Sequence, residues 1–270
     1  MTTGIVFPVL AAAALLQGSF GSLIEELDAR PPRTGYFMLS VSPAEILGFD
    51  EAQRFNHVLA PEEPIEWQVY VPRNYDPQQP VGLLVFIPSG NRGGIPFEWQ
   101  PLMDDRGLIW VSANMSGGSV PIKARMLKAI LAPRAIKRDY RVDEERTYIG
   151  GYIDGGVMAS LVQASEPQLF KGGLYFCGAL YWEEQAPANL PLVLANRHVF
   201  IRGCVDEHER EIRGAHESYV AAGAENTELI SLHPNRDLIR QFDYVERALA
   251  FLDPPEAPSE PDPEAREPDE

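Results

Sequence analysis

Cysteine is scarce in this sequence: Cys177 and Cys204 are the only two among 270 residues. Two cysteines are too few for a disulfide-built scaffold, and their spacing does not fit a metal site, so we predict no metal. Each of them ends a predicted strand. Two interpretations stay open, namely one disulfide between neighbouring strand ends, or two buried free thiols that act as small hydrophobic residues.

Basic residues are also few, because 23 Lys and Arg stand against 39 Asp and Glu, which gives a formal charge of −16. Binding of nucleic acid needs a basic surface, so this charge balance predicts no nucleic-acid partner. Part of the acidic excess lies in residues 254–270, where proline alternates with acidic residues and Arg266 is the one base. We expect this segment to be a disordered, solvated tail.

The apolar run at residues 5–16 is too short to span a bilayer comfortably, so we predict no stable membrane span. The small residues Ser19 and Gly21 that follow it fit a signal-peptidase site. We therefore predict a signal peptide at 1–21 and export of the protein. The alternative is a cytoplasmic protein whose amino-terminal helix docks on the core. One domain is expected over residues 22–253.

Strand and helix patterns alternate through that domain. Residues 36–41 and 67–72 suit an antiparallel edge, whereas the continuous apolar run Val81–Ile87 is typical of a strand covered on both faces. Further strands are predicted at 108–112, 173–179, 198–203 and 228–233, with a helix start at 42–45 and helices at 99–106, 120–138, 209–222 and 239–252. This order predicts an α/β fold with a mostly parallel central sheet, helices on both faces, and a site beyond the carboxyl ends of the strands.

Residues 148–160 read as a buried strand that turns sharply, through glycines, into a helix. Small residues two places either side of a central residue are typical of a nucleophile elbow, the tight turn that presents a catalytic side chain at its tip. Gly151 and Gly155 flank Ile153 at that spacing, so Ile153 takes the tip. An alkyl side chain has no nucleophilic atom. We expect the turn either to relax or to have its strain held by Gly151, Gly155 and Gly156.

The segment 146–159, Arg-Thr-Tyr-Ile-Gly-Gly-Tyr-Ile-Asp-Gly-Gly-Val-Met-Ala, resembles the elbow of α/β-hydrolase-fold esterases similar to polyhydroxybutyrate depolymerases and feruloyl esterases. The resemblance covers roughly residues 67–253 and also rests on strand order and on Phe-Leu-Asp at 251–253. It implies an α/β-hydrolase fold and ester hydrolysis by a serine, histidine and aspartate triad, without a cofactor.

Matching the family's triad to this chain exposes replacements. The serine position falls on Ile153, and the acid position falls on Asp206 after Gly-Cys-Val at 203–205. The histidine position falls near Asp237, and His233 is the only histidine nearby. The His-Gly that follows the family's first central strand is Ser89-Gly90 here.

We therefore expect a catalytically degenerate protein that binds a small ligand or a protein partner in the former active-site cleft. The ligand-binding residues are predicted to be Ser89, Gly90, Asn91 and Asp154, with Asp206 and His233 as vestiges of the triad. Acyl transfer needs a nucleophile and a base, and both positions are replaced.

An active hydrolase with a displaced nucleophile is the alternative. Asp154 is one candidate, since aspartate is the nucleophile in the haloalkane dehalogenase and epoxide hydrolase branches of this fold. Ser89 or Ser116, acting with His233, is another. The simpler interpretation of Asp154 is that it caps the following helix.

Three other patterns have simpler interpretations. The acidic residues and histidine at 206–209 form either a metal site or, as we favour, a solvated turn. Residues 90–94 either cradle a phosphate or are a vestigial oxyanion loop, and the missing Lys-Ser/Thr pair favours the second. We interpret His57, His198 and His216 as structural.

Overall fold

A computed structural model describes residues 32–182, 186–203, 206–232 and 242–254, apart from the side chains of residues 206, 207 and 242. The predicted signal peptide, Cys204, His233, Asp237 and almost all of the acidic tail lie outside the described residues.

Eight strands and eight helices are described. The strands are β1 (Gly35–Val41), β2 (Ile65–Val71), β3 (Val81–Ile87), β4 (Leu108–Ala113), β5 (Val142–Tyr152), β6 (Gly172–Phe176), β7 (Arg197–Arg202) and β8 (Thr227–Ser231). The helices are α1 (Pro43–Leu47), α2 (Phe49–Gln53), α3 (Gln100–Arg106), α4 (Ile122–Ile136), α5 (Asp154–Ser165), α6 (Leu190–Ala195), α7 (Asp206–Ala221) and α8 (Phe242–Leu252). A 3₁₀ turn at Phe97–Trp99 precedes α3.

The strands form one sheet in the order β1-β2-β4-β3-β5-β6-β7-β8. The β1–β2 and β2–β4 pairs are antiparallel, and every pair from β4 to β8 is parallel. The prediction of a mostly parallel sheet with an antiparallel edge is therefore confirmed. The parallel strands β3 to β7 all end on the same side of the sheet, and the loops that follow their carboxyl ends meet there.

Both faces of the sheet are covered, which explains the continuous apolar run in β3. Alternate side chains of β3 enter two separate cores: Leu83, Val85 and Ile87 pack in one, while Leu84 and Phe86 pack in the other. The first core also takes residues of α4, α5 and α7, and the second takes residues of α3 and α8. A strand with helices on both sides cannot alternate polar and apolar residues.

At the opposite end of the strands, Asp253 links the end of α8 to β5. Its carboxylate is buried, accepts two hydrogen bonds from the Arg146 guanidinium at 2.6 and 2.8 Å, and accepts a third from the Tyr148 hydroxyl at 2.8 Å. Burial, with the neighbouring Asp253 charge, raises the pKa of Tyr148 well above its usual value. The Arg-x-Tyr and Phe-Leu-Asp patterns thus have a structural role far along the strands from the candidate site.

Among the described residues, no helix is both long enough and apolar enough to cross a membrane.

Candidate functional site

The strand-to-helix turn after β5 has the conformation of a strained elbow. Ile153 follows the last residue of β5, precedes the first residue of α5, and has φ 53° and ψ −117°. A positive φ is unfavourable for a β-branched residue and costs about 1–3 kcal/mol. The expectation that the turn relaxes is therefore wrong, and the strain must be held by the surrounding structure.

Glycines hold that strain by letting backbone segments approach closely. A Cβ added at Gly151 would come within 2.2 Å of the Gly155 carbonyl oxygen, and one at Gly155 within 2.1 Å of the Ile87 oxygen. A Cβ at Gly156 would lie 2.4 Å from the Gly178 oxygen. The predicted role of these three glycines is confirmed, since a side chain at any of them would force the start of α5 away from β3, β5 or the loop after β6.

The loop after β6 also clamps the turn, which the sequence did not indicate. The Ile153 amide donates to the Phe176 carbonyl at 2.7 Å, and a Cβ added at Gly178 would come within 2.1 Å of the Ile153 oxygen. Between them, Cys177 is fully buried, has φ 57° and is disulfide-bonded. The sequence has one other cysteine, Cys204, which is not among the described residues.

Asp154 is the first residue of α5 and pairs with a buried cation. Its Oδ2 lies 3.0 Å from Nη1 of Arg125 on α4, a close ion pair whose alignment falls short of a hydrogen bond. The Arg125 side chain is only 4% exposed, whereas that of Asp154 is 37% exposed. The helix cap is Ile153 without a side-chain bond, so the interpretation of Asp154 as a hydrogen-bonding cap is wrong. The carboxylate still lies in the first turn, where the helix dipole favours it.

The predicted ligand-binding residues Ser89, Gly90 and Asn91 form the loop after β3. Arg125 joins this loop to the elbow, because its Nη2 donates to the Pro88 carbonyl at 3.4 Å while Nη1 contacts Asp154. Asn91 is exposed, but its Oδ1 accepts from the Gly117 amide at 3.1 Å and so connects the loops after β3 and β4. The loops predicted to surround the site are thus in contact.

A cavity of about 160 Å³ opens beside this loop. Ser89 and Gly90 line one side of it with Arg92 and Tyr152, while buried aromatic side chains form its floor. The floor consists of Phe86, Trp99, Trp110 and Phe176, in which the Phe86 and Trp110 rings stack at 4.4 Å between centroids. Such a cavity, mainly apolar with a few polar groups at its rim, is typical of a small-molecule site.

The loop after β4 contributes a third non-glycine residue at positive φ, after Ile153 and Cys177, and a half-buried lysine. Met115 has φ 48° and is exposed, and its carbonyl accepts a hydrogen bond from Lys128 Nζ at 2.7 Å. Burial lowers the pKa of Lys128 below its usual value. This cation lies beside a separate cavity, of about 210 Å³, which Glu63, Glu66 and Asn114 also line.

Of the residues predicted to remain from the triad, the structure describes only the backbone of Asp206. Asp206 begins α7, directly beyond the loop after β7, but its side chain is not among those described. His233 and Asp237 follow β8 and lie outside the described residues. The placement of Asp206 and His233 near the turn after β5, as vestiges of the triad, therefore stays a prediction.

The acidic cluster at 206–209 lies at the start of α7, and Glu209 is committed to other partners. It accepts a hydrogen bond from the Gly203 amide at 3.1 Å and pairs with Arg202, whose Nε donates to Ser231 at 2.7 Å. Among the described residues, no group of three or more metal-binding side chains converges.

His198 is fully buried, and its ring packs against Phe200 and Tyr219 of the first core. Its Nε2 donates to the Val193 carbonyl at 2.7 Å, and its Nδ1 lies 3.2 Å from the Tyr175 hydroxyl. Burial lowers the pKa of His198 to about 4, so the ring is neutral at pH 7. These contacts support its structural interpretation.

No protein-family model and no curated protein matches this sequence. Solved structures match it in fold. The chain aligns with fungal esterases from Rhizomucor miehei at 12% identity, over 93% of this chain and 92% of that one, with a TM-score of 0.57. An α/β hydrolase from the metagenome of Lake Arreo, Spain, aligns at 15% identity over 88% of both chains, with a TM-score of 0.57.

A thermostable esterase aligns at 15% identity over 80% of this chain, with a TM-score of 0.57, and the chain spans 62% of that esterase's length. Identities this low establish architecture and not activity. Together with the strand order and the turn after β5, these matches establish that the chain has the α/β-hydrolase fold.

Proposed function

We propose that this protein is a catalytically degenerate, esterase-like member of the α/β-hydrolase fold that binds a small ligand in the former active-site cleft. The observation that carries this proposal is the position of Ile153. It occupies the strained corner between β5 and α5, with φ 53°, at which hydrolases of this fold present their nucleophile. An isoleucine there can contact a ligand but cannot attack it.

The geometry of Asp154 also favours binding over catalysis. A nucleophilic aspartate would have to occupy the corner itself, whereas Asp154 lies one residue later, inside α5. Its carboxylate is held 3.0 Å from the buried Arg125 guanidinium. An attack through that oxygen would cost the ion pair and leave a buried cation without its counter-charge.

The serines proposed as displaced nucleophiles differ in access. Ser116 is buried, and its hydroxyl donates to the Asn114 carbonyl, so a substrate cannot reach it without local opening. Ser89 is half-buried and lines the aromatic-floored cavity, which makes it the serine to monitor in a test of residual activity.

The cavity suggests the chemistry of the ligand. Its aromatic floor favours an apolar body, Arg92 among its lining residues supplies a positive charge, and its volume of about 160 Å³ limits the ligand to a small molecule. A short carboxylic acid, the acyl product of an ester, has both features. We also propose that this chain belongs to the esterases that are similar to polyhydroxybutyrate depolymerases and feruloyl esterases.

Export from the cytoplasm is a further part of it. The disulfide at Cys177 supports an oxidising location, because cytoplasmic thiols are normally kept reduced. The apolar run at 5–16 supplies the signal. Amino-terminal sequencing of the secreted or periplasmic protein is expected to begin near residue 22, and an uncleaved cytoplasmic protein would contradict export.

Activity is tested by incubating the full chain with p-nitrophenyl acetate and butyrate and, separately, with a fluorophosphonate probe. We expect no turnover above background, no labelled serine, and no change in Ile153→Ala. Turnover that persists in Ile153→Ala would contradict the proposal. Turnover lost only in Asp154→Asn would assign the aspartate mechanism, and turnover lost only in Ser89→Ala would assign that serine.

Binding is tested with hexanoate by ¹⁵N NMR titration. We expect saturable shifts at residues of the cavity floor, and weaker binding in Arg92→Ala than in the control Arg54→Ala, which changes an exposed arginine outside the cavity. Absence of shifts at any hexanoate concentration would contradict a carboxylate ligand and favour a protein partner.

A further inference from the structure

Two buried N–H donors near the elbow have no acceptor among the described residues. One is the Trp67 indole Nε1 on β2, and the other is the Arg125 Nε on α4. Trp67 is fully buried and Arg125 is 3% exposed. A buried donor without an acceptor is costly, about 1–3 kcal/mol, so each such donor calls for an explanation.

Both side chains line the same small cavity. Its remaining walls are apolar or backbone, except for Ser116, and its volume is about 10 Å³. That is about the smallest space that holds one water molecule. The cavity also shares Phe86 and Pro88 with the larger cavity of the candidate site, so it lies directly behind the loop after β3.

We propose that a single ordered water molecule is bound here as a fixed part of the fold, accepting hydrogen bonds from Trp67 Nε1 and Arg125 Nε. It can donate in turn to Ser116 Oγ, whose own hydrogen is directed to the Asn114 carbonyl at 3.4 Å. Three hydrogen bonds is the usual number for a buried water.

Charge and size favour water over an ion. Two N–H donors, one of them on a guanidinium, repel a metal cation. A monatomic anion is disfavoured because Asp154 already balances the Arg125 charge, so that an anion would add an uncompensated buried negative charge. A neutral molecule that accepts two hydrogen bonds fits the donors, the charge balance and the volume.

With this water, all three nitrogens of the Arg125 guanidinium have a partner. Arg125 contacts Asp154 through Nη1 and Pro88 through Nη2, and the water satisfies Nε. The guanidinium is thereby held through all three nitrogens, and it fixes the position of α5 relative to the loop after β3. This inference does not depend on whether the cleft binds a carboxylate.

The test is a water-selective ROESY measurement on the full ¹⁵N-labelled chain. The four indole N–H signals are assigned by Trp→Phe variants at Trp99, Trp110 and Trp182, which leaves Trp67 by elimination if Trp67→Phe does not fold. We expect a cross-peak from the Trp67 indole proton to water, with the sign of a dipolar contact. The comparison signal is that of Trp110, whose Nε1 already donates to the Gly93 carbonyl at 3.3 Å and should show a weaker cross-peak.

Absence of the Trp67 cross-peak, or a peak with the sign of chemical exchange, would overturn the proposal. A crystal soaked in bromide provides the second readout. We expect no anomalous peak between Trp67 and Arg125, and a bromide peak there would overturn the water in favour of an anion.

Discussion

Gly178 lies directly against the carbonyl oxygen of Ile153, so that a Cβ added at position 178 would come within 2.1 Å of that oxygen. The loop after β6 therefore closes over the strained turn, and the turn cannot relax without displacing it. This contact, with the three glycines of the turn itself, explains how a β-branched residue is kept at positive φ.

Gly178→Ala is expected to lower the free energy of unfolding by about 2 kcal/mol or more, because the new methyl group overlaps backbone atoms that cannot move independently. Urea unfolding at pH 7 measures the change. Gly90→Ala is the matched control, since a Cβ there meets nothing within 4 Å, and its effect should stay within about 0.5 kcal/mol. Equal effects would contradict the clamp.

Asp154→Ala is expected to lower the free energy of unfolding by about 1–3 kcal/mol, because it leaves the Arg125 guanidinium buried without a counter-charge. Glu51→Ala is the control, as it removes a surface pair with Arg134 in which both side chains are about half exposed. Such pairs contribute about 0–1 kcal/mol. A loss at Asp154 no larger than that at Glu51 would show that the buried pair contributes little.

Acid is expected to destabilise the protein through His198. Burial lowers its folded-state pKa to about 4, against about 6.5 when unfolded, so the unfolded chain binds the extra proton between these values and stability falls as the pH drops through that window. The loss attributable to His198 is about 2 kcal/mol between pH 7.5 and 5. Urea unfolding at both pH values, compared with His198→Gln, measures it. An equal pH dependence in the variant would contradict the assignment.

Asp253→Ala is expected to lower the free energy of unfolding by about 3 kcal/mol, because Arg146 and Tyr148 lose their shared buried acceptor. Its position far from the site predicts that ligand binding is retained wherever the variant is folded. Glu144→Ala, which removes an exposed partner of Lys137, should change stability by less than about 1 kcal/mol. A similar loss in both variants would rule out the proposed fastening of α8.

Most of the fold could be predicted from the sequence because its signals are local. The continuous run of β3, the glycines after β5 and the amphipathic α8 each indicate their own structure. The short helices α1 and α2 show the limit: Ser42 and Glu45 form a complete capping box that marks the start of α1, whereas α2 begins at Gly48 without a side-chain cap and was not predicted.

The site was predicted less completely, because its contacts join residues distant in sequence. Nothing local marks Arg125 as the partner of Asp154, since it lies in the middle of α4, nor Gly178 as the clamp of the turn. The aromatic floor likewise arises only when β3, β4 and β6 come together. The sequence left two conformations open for the turn at Ile153, and the structure has the strained one, because four glycine contacts prevent the turn from relaxing.

Intact-mass measurement of the purified full chain, after saturating treatment with a fluorophosphonate, tests most directly whether the protein is catalytically degenerate. We expect an unchanged mass, because Ile153 and not an activated serine stands at the corner between β5 and α5. A stoichiometric adduct on any serine would contradict the proposal.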